Sequence, residues 1–147
     1  MQILVPVLAQ SNPVETRQRG RGATGDVAML LRLEGAAEMV LAILAYRHLG
    51  GTWPLFAALF LTPDISMLGY FIDRRVGARL YNLGHTYISP ALLAAAGLSL
   101  AMPLLYTAAA IWAAHIGFDR LMGYGLKYPT HFGATHLRWK NAPGDHP

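Results

Sequence analysis

His115 and Asp119 stand four residues apart in a largely apolar stretch, residues 111–128 (IWAAHIGFDRLMGYGLKY). An α-helix turns once every ~3.6 residues, so this spacing sets an imidazole and a carboxylate on one helical face. Glu34 and Glu38 repeat the i,i+4 spacing, and Asn82 and His85 are spaced i,i+3. Asp64 follows Pro63, which lacks an N–H and frees a carbonyl on the preceding turn. Imidazole and carboxylate groups together suit a divalent cation such as zinc, iron or manganese. A carboxylate raised in pKa by burial suits a general base. The chain has no Cys, which excludes thiolate metal sites and disulfides.

The elements that must position these groups are long and apolar. The 147 residues fit one domain by length. Hydrophobic residues make up 54% of the chain and charged ones 14%, well below the roughly one quarter charged in soluble domains. The net charge of +4 sits in basic clusters beside apolar segments. That pattern suggests membrane flanks and argues against a nucleic-acid face, since no aromatic-basic alternation accompanies it. Residues 1–10 form a short apolar run broken by Pro6, with basic residues after it instead of before, so it does not read as a signal peptide. Residues 1–26 are expected to be a flexible leader.

Four apolar segments follow, at 27–49, 52–72, 76–102 and 103–122, each near the ~20 residues a bilayer-spanning helix needs. Gly50-Gly51 ends the first, and prolines open the second and fourth. Residues 27–128 therefore read as an all-α, four-span membrane bundle, and 129–147 as a polar cytoplasmic tail. Arg17, Arg19, Arg21, Arg74, Arg75, Arg79, Arg120, Lys127, Arg138 and Lys140 all fall on one side of such a bundle, against Arg47 on the other. The bias predicts that both termini are cytoplasmic.

Depth along the spans gives a sharper expectation. At ~1.5 Å per residue from the cytoplasmic ends, Glu34 and Glu38 lie roughly 10 to 17 Å in, Asp64 and His85 roughly 12 to 14 Å, and His115 about 10 Å. Asp119 is shallower. Each unpaired charge at mid-membrane costs about 2.5 to 3.5 kcal/mol, so a shared polar layer needs a neutralising partner. Helical bundles that hold metals supply carboxylates and histidines from facing helices in this way. Plainer readings stand beside this one. A buried acid can be neutral, or paired with Arg32, Arg74 or Arg120, and either histidine taken singly is more often structural than catalytic. His48, His131, His136 and His146 fall outside the spans, where surface histidines are common. Gly123-Tyr124-Gly125 reads as a helix stop and lacks the context of a phosphate loop.

With these residues in view, the chain resembles a small bacterial membrane family known as domain of unknown function 4260. The likeness covers residues 31–137. It rests on LRLEG (31–35), PDISMLGY (63–70), VGARLYNLGHTYISP (76–90), HIGFDRLMGYGLKY (115–128) and THL (135–137). A weaker likeness is to bacterial membrane-bound metal-dependent hydrolases regulated with the SOS response. In those proteins a Pro-Asp near a helix end is paired with a later His and a His-x-x-x-Asp helix. Pro63-Asp64, His85 and His115 to Asp119 fill those places here. The second acid and His that follow the Pro-Asp are missing, and Asn82-Leu83-Gly84-His85 replaces a His-Arg-x-x-Thr-His-Ser run. One metal instead of two, or a lost activity, are the alternatives this leaves. A folded-back Thr135-His136 could supply a further ligand.

The expectation is thus a multi-pass protein of the cell inner membrane with a polar site in its cytoplasmic half. As a metal-dependent hydrolase of a lipid or other membrane-near substrate, it would hold a divalent metal with Asp64, His85, His115 and Asp119. Glu34 or Glu38 would act as general base. Asn82, Tyr70, Tyr124, Arg120, Lys127 and His136 would contact an amphipathic substrate, with the two cations taking an anionic head group. The alternatives are a non-enzymatic binding or transport protein with an acidic proton or cation relay, and a structural membrane subunit. Ala94-Ala95-Ala96-Gly97 offers a packing face for a homo-oligomer.

Overall fold

The computed structural model describes Ala23, residues 25–129 and residues 133–137. Most of the expected leader (1–26) and most of the expected tail (129–147), with His131, Arg138 and Lys140, lie outside the described residues. Those described are all-helical: α1 (Gly25–His48), α2 (Trp53–Phe60), a 3-10 helix (Thr62–Phe71), α3 (Arg74–Gly84), α4 (Ile88–Ser99) and α5 (Pro103–Met122). No strand occurs among them, and an isolated antiparallel bridge joins Lys127 to Thr135.

Local chemistry sets the helix ends. Asp26 in the first turn of α1 and Arg47 and His48 in its last complement the helix dipole. Gly50 then takes a φ of 79°, which a side chain would resist, and the Tyr46 hydroxyl donates to Thr52 O at 2.6 Å. Asp73 caps α3, its Oδ1 accepting from Arg75 N at 2.6 Å and Val76 N at 2.8 Å. Gly123 closes α5 with a left-handed φ of 84°, at the helix stop read from the sequence.

Two expected spans are not uniform α-helix. The second changes at Leu61 from α to 3-10 geometry. Pro63 has no N–H to offer Leu59 O, and the Thr62 hydroxyl donates to that carbonyl instead, at 2.7 Å. The third was expected to be one helix over 76–102, and here the structure corrects the sequence reading. The helix ends at Gly84, passes His85 to Tyr87 without continuing, and restarts at Ile88. Pro90 cannot donate to Thr86 O, so it is accommodated in the first turn of a new helix, where a missing N–H costs nothing. Neither α3 nor α4, at 11 and 12 residues, reaches across a ~30 Å hydrocarbon layer by itself.

α5 is the central element. α1 and α4 pack on it, α2 touches it, and α3 packs on the 3-10 helix. The closest approach joins α1 to α5 through glycines: a Cβ on Gly117 would lie 2.6 Å from Met39 N and 2.7 Å from Gly35 O. Gly97 of α4 is used in the same way, against Tyr106 N at the start of α5, so part of the small-residue face expected to join copies packs within the chain. Tyr46, Ala78, Tyr81, Ile111, Ala114 and Ile116 are buried, and His85, His115 and Asp119 are buried with them. The outside carries the large apolar side chains, with Leu33, Leu41 and Leu44 of α1, Leu92 and Leu98 of α4, Phe71 and Ile72 all exposed. Among the described residues one helical stretch, Trp53–Phe71, is long and apolar enough to cross a membrane. Its eight α residues and ten 3-10 residues extend about 32 Å, at ~1.5 and ~2.0 Å per residue.

Candidate metal centre

The break after Gly84 is what places His85. An α-helix leaves its last carbonyls without partners, and α5 supplies donors to two of them. Trp112 Nε1 donates to Gly84 O at 2.6 Å, and Arg120 Nη2 donates to His85 O at 2.9 Å. Gly84 itself admits no side chain, because a Cβ there would lie 2.8 Å from Ser66 Oγ of the 3-10 helix. The end of α3 is thereby pinned between α5 and the 3-10 helix. Asp64 enters from the first turn of that 3-10 helix, and His115 and Asp119 enter from one face of α5.

These four side chains converge. One ligand atom from each of Asp64, His85, His115 and Asp119 lies within 4.8 Å of the other three. His85 Nε2 is 3.3 Å from Asp64 Oδ1, 3.5 Å from Asp119 Oδ2 and 3.3 Å from His115 Nε2. His115 Nε2 is 3.6 Å from Asp64 Oδ1. Ligands held ~2.1 Å from a tetrahedral ion stand about 3.4 Å apart, close to these four of the six separations, with the other two within 4.8 Å. The four could hold a metal ion.

Hydrogen bonds fix the orientation of two of the four ligands. His85 Nδ1 lies 2.9 Å from Tyr81 O, and a carbonyl only accepts, so the proton is on Nδ1. A neutral His85 therefore turns a bare Nε2 lone pair toward two carboxylate oxygens. The Tyr81 ring stacks on His85 at 3.8 Å and 12°, while its hydroxyl donates to Asp119 Oδ2 at 3.1 Å. Such outer partners set the tautomer and direction of metal-ligating groups. His115 is held by packing, edge-on to Phe60 at 5.3 Å, and its buried Nδ1 has no hydrogen-bond partner among the described residues. Asp64 is the way in: its side chain is 41% exposed, against 1% for His85.

The other expected site residues separate into three places. Lys127 reaches the rim, its Nζ 4.3 Å from the Tyr81 ring centre and 5.0 Å from that of Tyr70. Burial pushes the Lys127 ammonium below its ordinary pKa, while Asp119 and Asp64 pull it back up. Asn82 is a clamp on the same segment. Its Nδ2 donates to Lys127 O at 2.9 Å and its Oδ1 accepts from Lys127 N at 2.7 Å. Its i,i+3 spacing to His85 carried no sign of this use.

Arg120 is engaged with backbone, donating to His85 O and, at 3.0 Å, to Tyr124 O, while the Tyr124 ring is exposed. The segment after α5 does fold back: Tyr128 N donates to Ala134 O, and His136 N to Leu126 O. His136 does not join the four, since its Nδ1 accepts from Leu126 N at 2.9 Å. Burial, with Arg120 nearby, holds the His136 imidazole below its ordinary pKa. Glu34 and Glu38 also stand apart, both exposed and lining a cavity with Arg120 and His136. Their placement lends no support to a general-base role at the cluster.

Comparison with known proteins agrees with the motifs. A family model described as "Domain of unknown function (DUF4260)" matches residues 28–139, and the chain belongs to that family. Neither the curated proteins nor the solved structures contain a match to it.

Proposed function

We propose that the chain is a multi-pass membrane protein whose four-residue centre binds one divalent metal ion and hydrolyses a lipid or other membrane-near substrate. The observation that carries this reading is the meeting of acceptors at one point. With Nδ1–H of His85 committed to Tyr81 O, its Nε2 lone pair faces carboxylate oxygens of Asp64 and Asp119. Acceptors this close repel unless a proton or a cation lies between them. Two imidazoles and two carboxylates form a donor set suited to zinc, iron or manganese.

Asp64, His85, His115 and Asp119 would hold the ion, and Tyr81 would fix the geometry of His85 and Asp119. A bound divalent ion supplies water activation near neutral pH and polarises a phosphoryl or acyl oxygen. Lys127, clamped by Asn82 and stacked on Tyr81, would anchor an anionic group of the substrate beside the exposed edge of Asp64. Arg120 acts as a positioning residue, holding the His85 backbone to α5.

The membrane reading draws support from the many large apolar side chains exposed around the buried His and Asp cluster. α3 and α4 together would form one broken traverse, so four traverses and cytoplasmic termini remain consistent with the basic bias. Irregular backbone at membrane depth is tolerated where protein surrounds it, as it does at His85.

A second reading uses the same acceptors. A doubly protonated His85 would bridge Asp64 and Asp119 with no metal, and the cluster would serve only to fix helix register. Elemental analysis of the purified chain separates the two. We expect about one zinc, iron or manganese per chain, lost in His85→Ala and His115→Ala while helical circular dichroism persists. A metal-free chain, or histidine variants that keep their metal, would sink the hydrolase.

A further inference from the structure

On the face of α5 away from the candidate metal centre, two cavities lie side by side. An apolar groove of about 790 Å³ runs between α1, α4 and α5, walled by small or aliphatic side chains such as Ala45, Leu49, Ala94, Leu98, Ala110 and Ala113. At one end it meets a polar cavity of about 290 Å³ that contains Glu34, Arg120 and His136. Glu38 and Tyr87 line both, so the two spaces adjoin. At ~100° per residue along α5, Ala110 and Ala113 point well away from His115 and Asp119, and Arg120, which also binds His85 O, is shared with the metal centre.

The polar end is built for opposite charges held side by side. Arg120 uses Nη1 and Nη2 to bind Tyr124 O and His85 O, and a guanidinium has further N–H donors to give. His136 accepts from Leu126 N through Nδ1, so its neutral ring carries the proton on Nε2, where it can donate. These two groups suit a phosphodiester. Glu34 and Glu38 lie one turn apart on the α1 side of the same cavity and suit a primary ammonium. His136 and Leu137 of the folded-back segment line this end, with Ala23 N donating to His136 O at 2.8 Å. From Glu38 to Leu49 the groove follows α1 for about 16 Å at ~1.5 Å per residue, enough for the greater part of one acyl chain.

The geometry points to a binding site for one zwitterionic aminophospholipid, with its phosphate on Arg120 and His136, its ammonium on Glu34 and Glu38, and an acyl chain along the α1–α4–α5 groove. Both ends of the site select. The groove needs a chain, which excludes free phosphoethanolamine. The paired acids need N–H donors, which disfavour a trimethylated amine or a head group without one.

The test is native mass spectrometry of the delipidated full chain in detergent, titrated with phosphatidylethanolamine, phosphatidylcholine and phosphatidylglycerol of identical acyl composition. One lipid per chain is expected, with phosphatidylethanolamine bound about tenfold more tightly than the other two, the size of a lost charge-assisted hydrogen bond. The Glu34→Gln/Glu38→Gln pair should erase that preference, and Ala110→Trp should abolish binding of all three, each with unchanged circular dichroism and metal content. Equal affinity for the three lipids overturns the assignment, as does a preference that survives the double substitution. So does a dimer whose second copy fills the groove and excludes lipid. The head-group series on the unaltered chain decides the matter even where a variant fails to fold.

Discussion

Among the candidate residues, Tyr81 offers the cleanest perturbation, because it touches two of the four converging side chains in separable ways. Its carbonyl fixes the His85 tautomer, its ring stacks on the imidazole, and its hydroxyl donates to Asp119. Tyr81→Phe keeps the first two and removes the third. Loss of such an outer hydrogen bond weakens metal affinity by about 10- to 100-fold. Competition with a chromophoric chelator should show a fall of that size with the fold intact, and an unchanged affinity would remove Asp119 from the ligand set. At this scale the sequence was a partial guide. Helical spacing puts His115 with Asp119 and Glu34 with Glu38, and depth puts Asp64 and His85 at their level. Spacing does not say which neighbour a face meets. Glu34 and Glu38, expected at that level, line a cavity apart from the cluster, and Asn82 serves the Lys127 backbone.

At the scale of elements, the glycine contact between α1 and α5 sets how closely the two longest helices approach. A Cβ at Gly117 would press on the Met39 and Gly35 backbone, which cannot swing away as a flexible side chain could. Gly117→Ala should therefore cost about 1–3 kcal/mol, as overpacking of a well-filled contact does. Thermal unfolding in detergent checks it, and a variant as stable as the parent would mean that the two helices separate readily. The irregular elements were the least legible. Pro63 and Pro90 are visible in the sequence, but a proline in an apolar run can kink, cap or end a helix, and packing decides among these. Here Thr62 repairs Leu59 O and lets a ten-residue 3-10 helix follow, while Trp112 and Arg120 bind the carbonyls left open after α3. Both irregularities carry a converging residue, Asp64 in one case and His85 in the other. Runs of 3-10 geometry this long are uncommon and often mark functional segments.

For the whole molecule, a buried His and Asp cluster lies inside an exterior of exposed large apolar side chains, and the basic residues of the sequence predict that both termini share one side. The absence of native cysteine makes orientation directly measurable. His48→Cys, at the end of α1, should react in intact cells with a membrane-impermeant maleimide. Asp26→Cys, in the first turn of α1, should react only after permeabilisation. The opposite pattern would invert the topology, and labelling of neither without permeabilisation would contradict a first span that ends outside. All-helical architecture was legible from composition and run length. The number of uninterrupted spans was not, because hydropathy passes through the His85–Tyr87 break without registering it.

Metal binding by the four residues is tested most directly by X-ray absorption at the K-edge of whichever metal purifies with the chain. A first shell of nitrogen and oxygen at about 2.0–2.2 Å is expected, with the outer-shell signature of two imidazoles, falling to one in His115→Ala. A shell without imidazole, or one unchanged by that substitution, would contradict it.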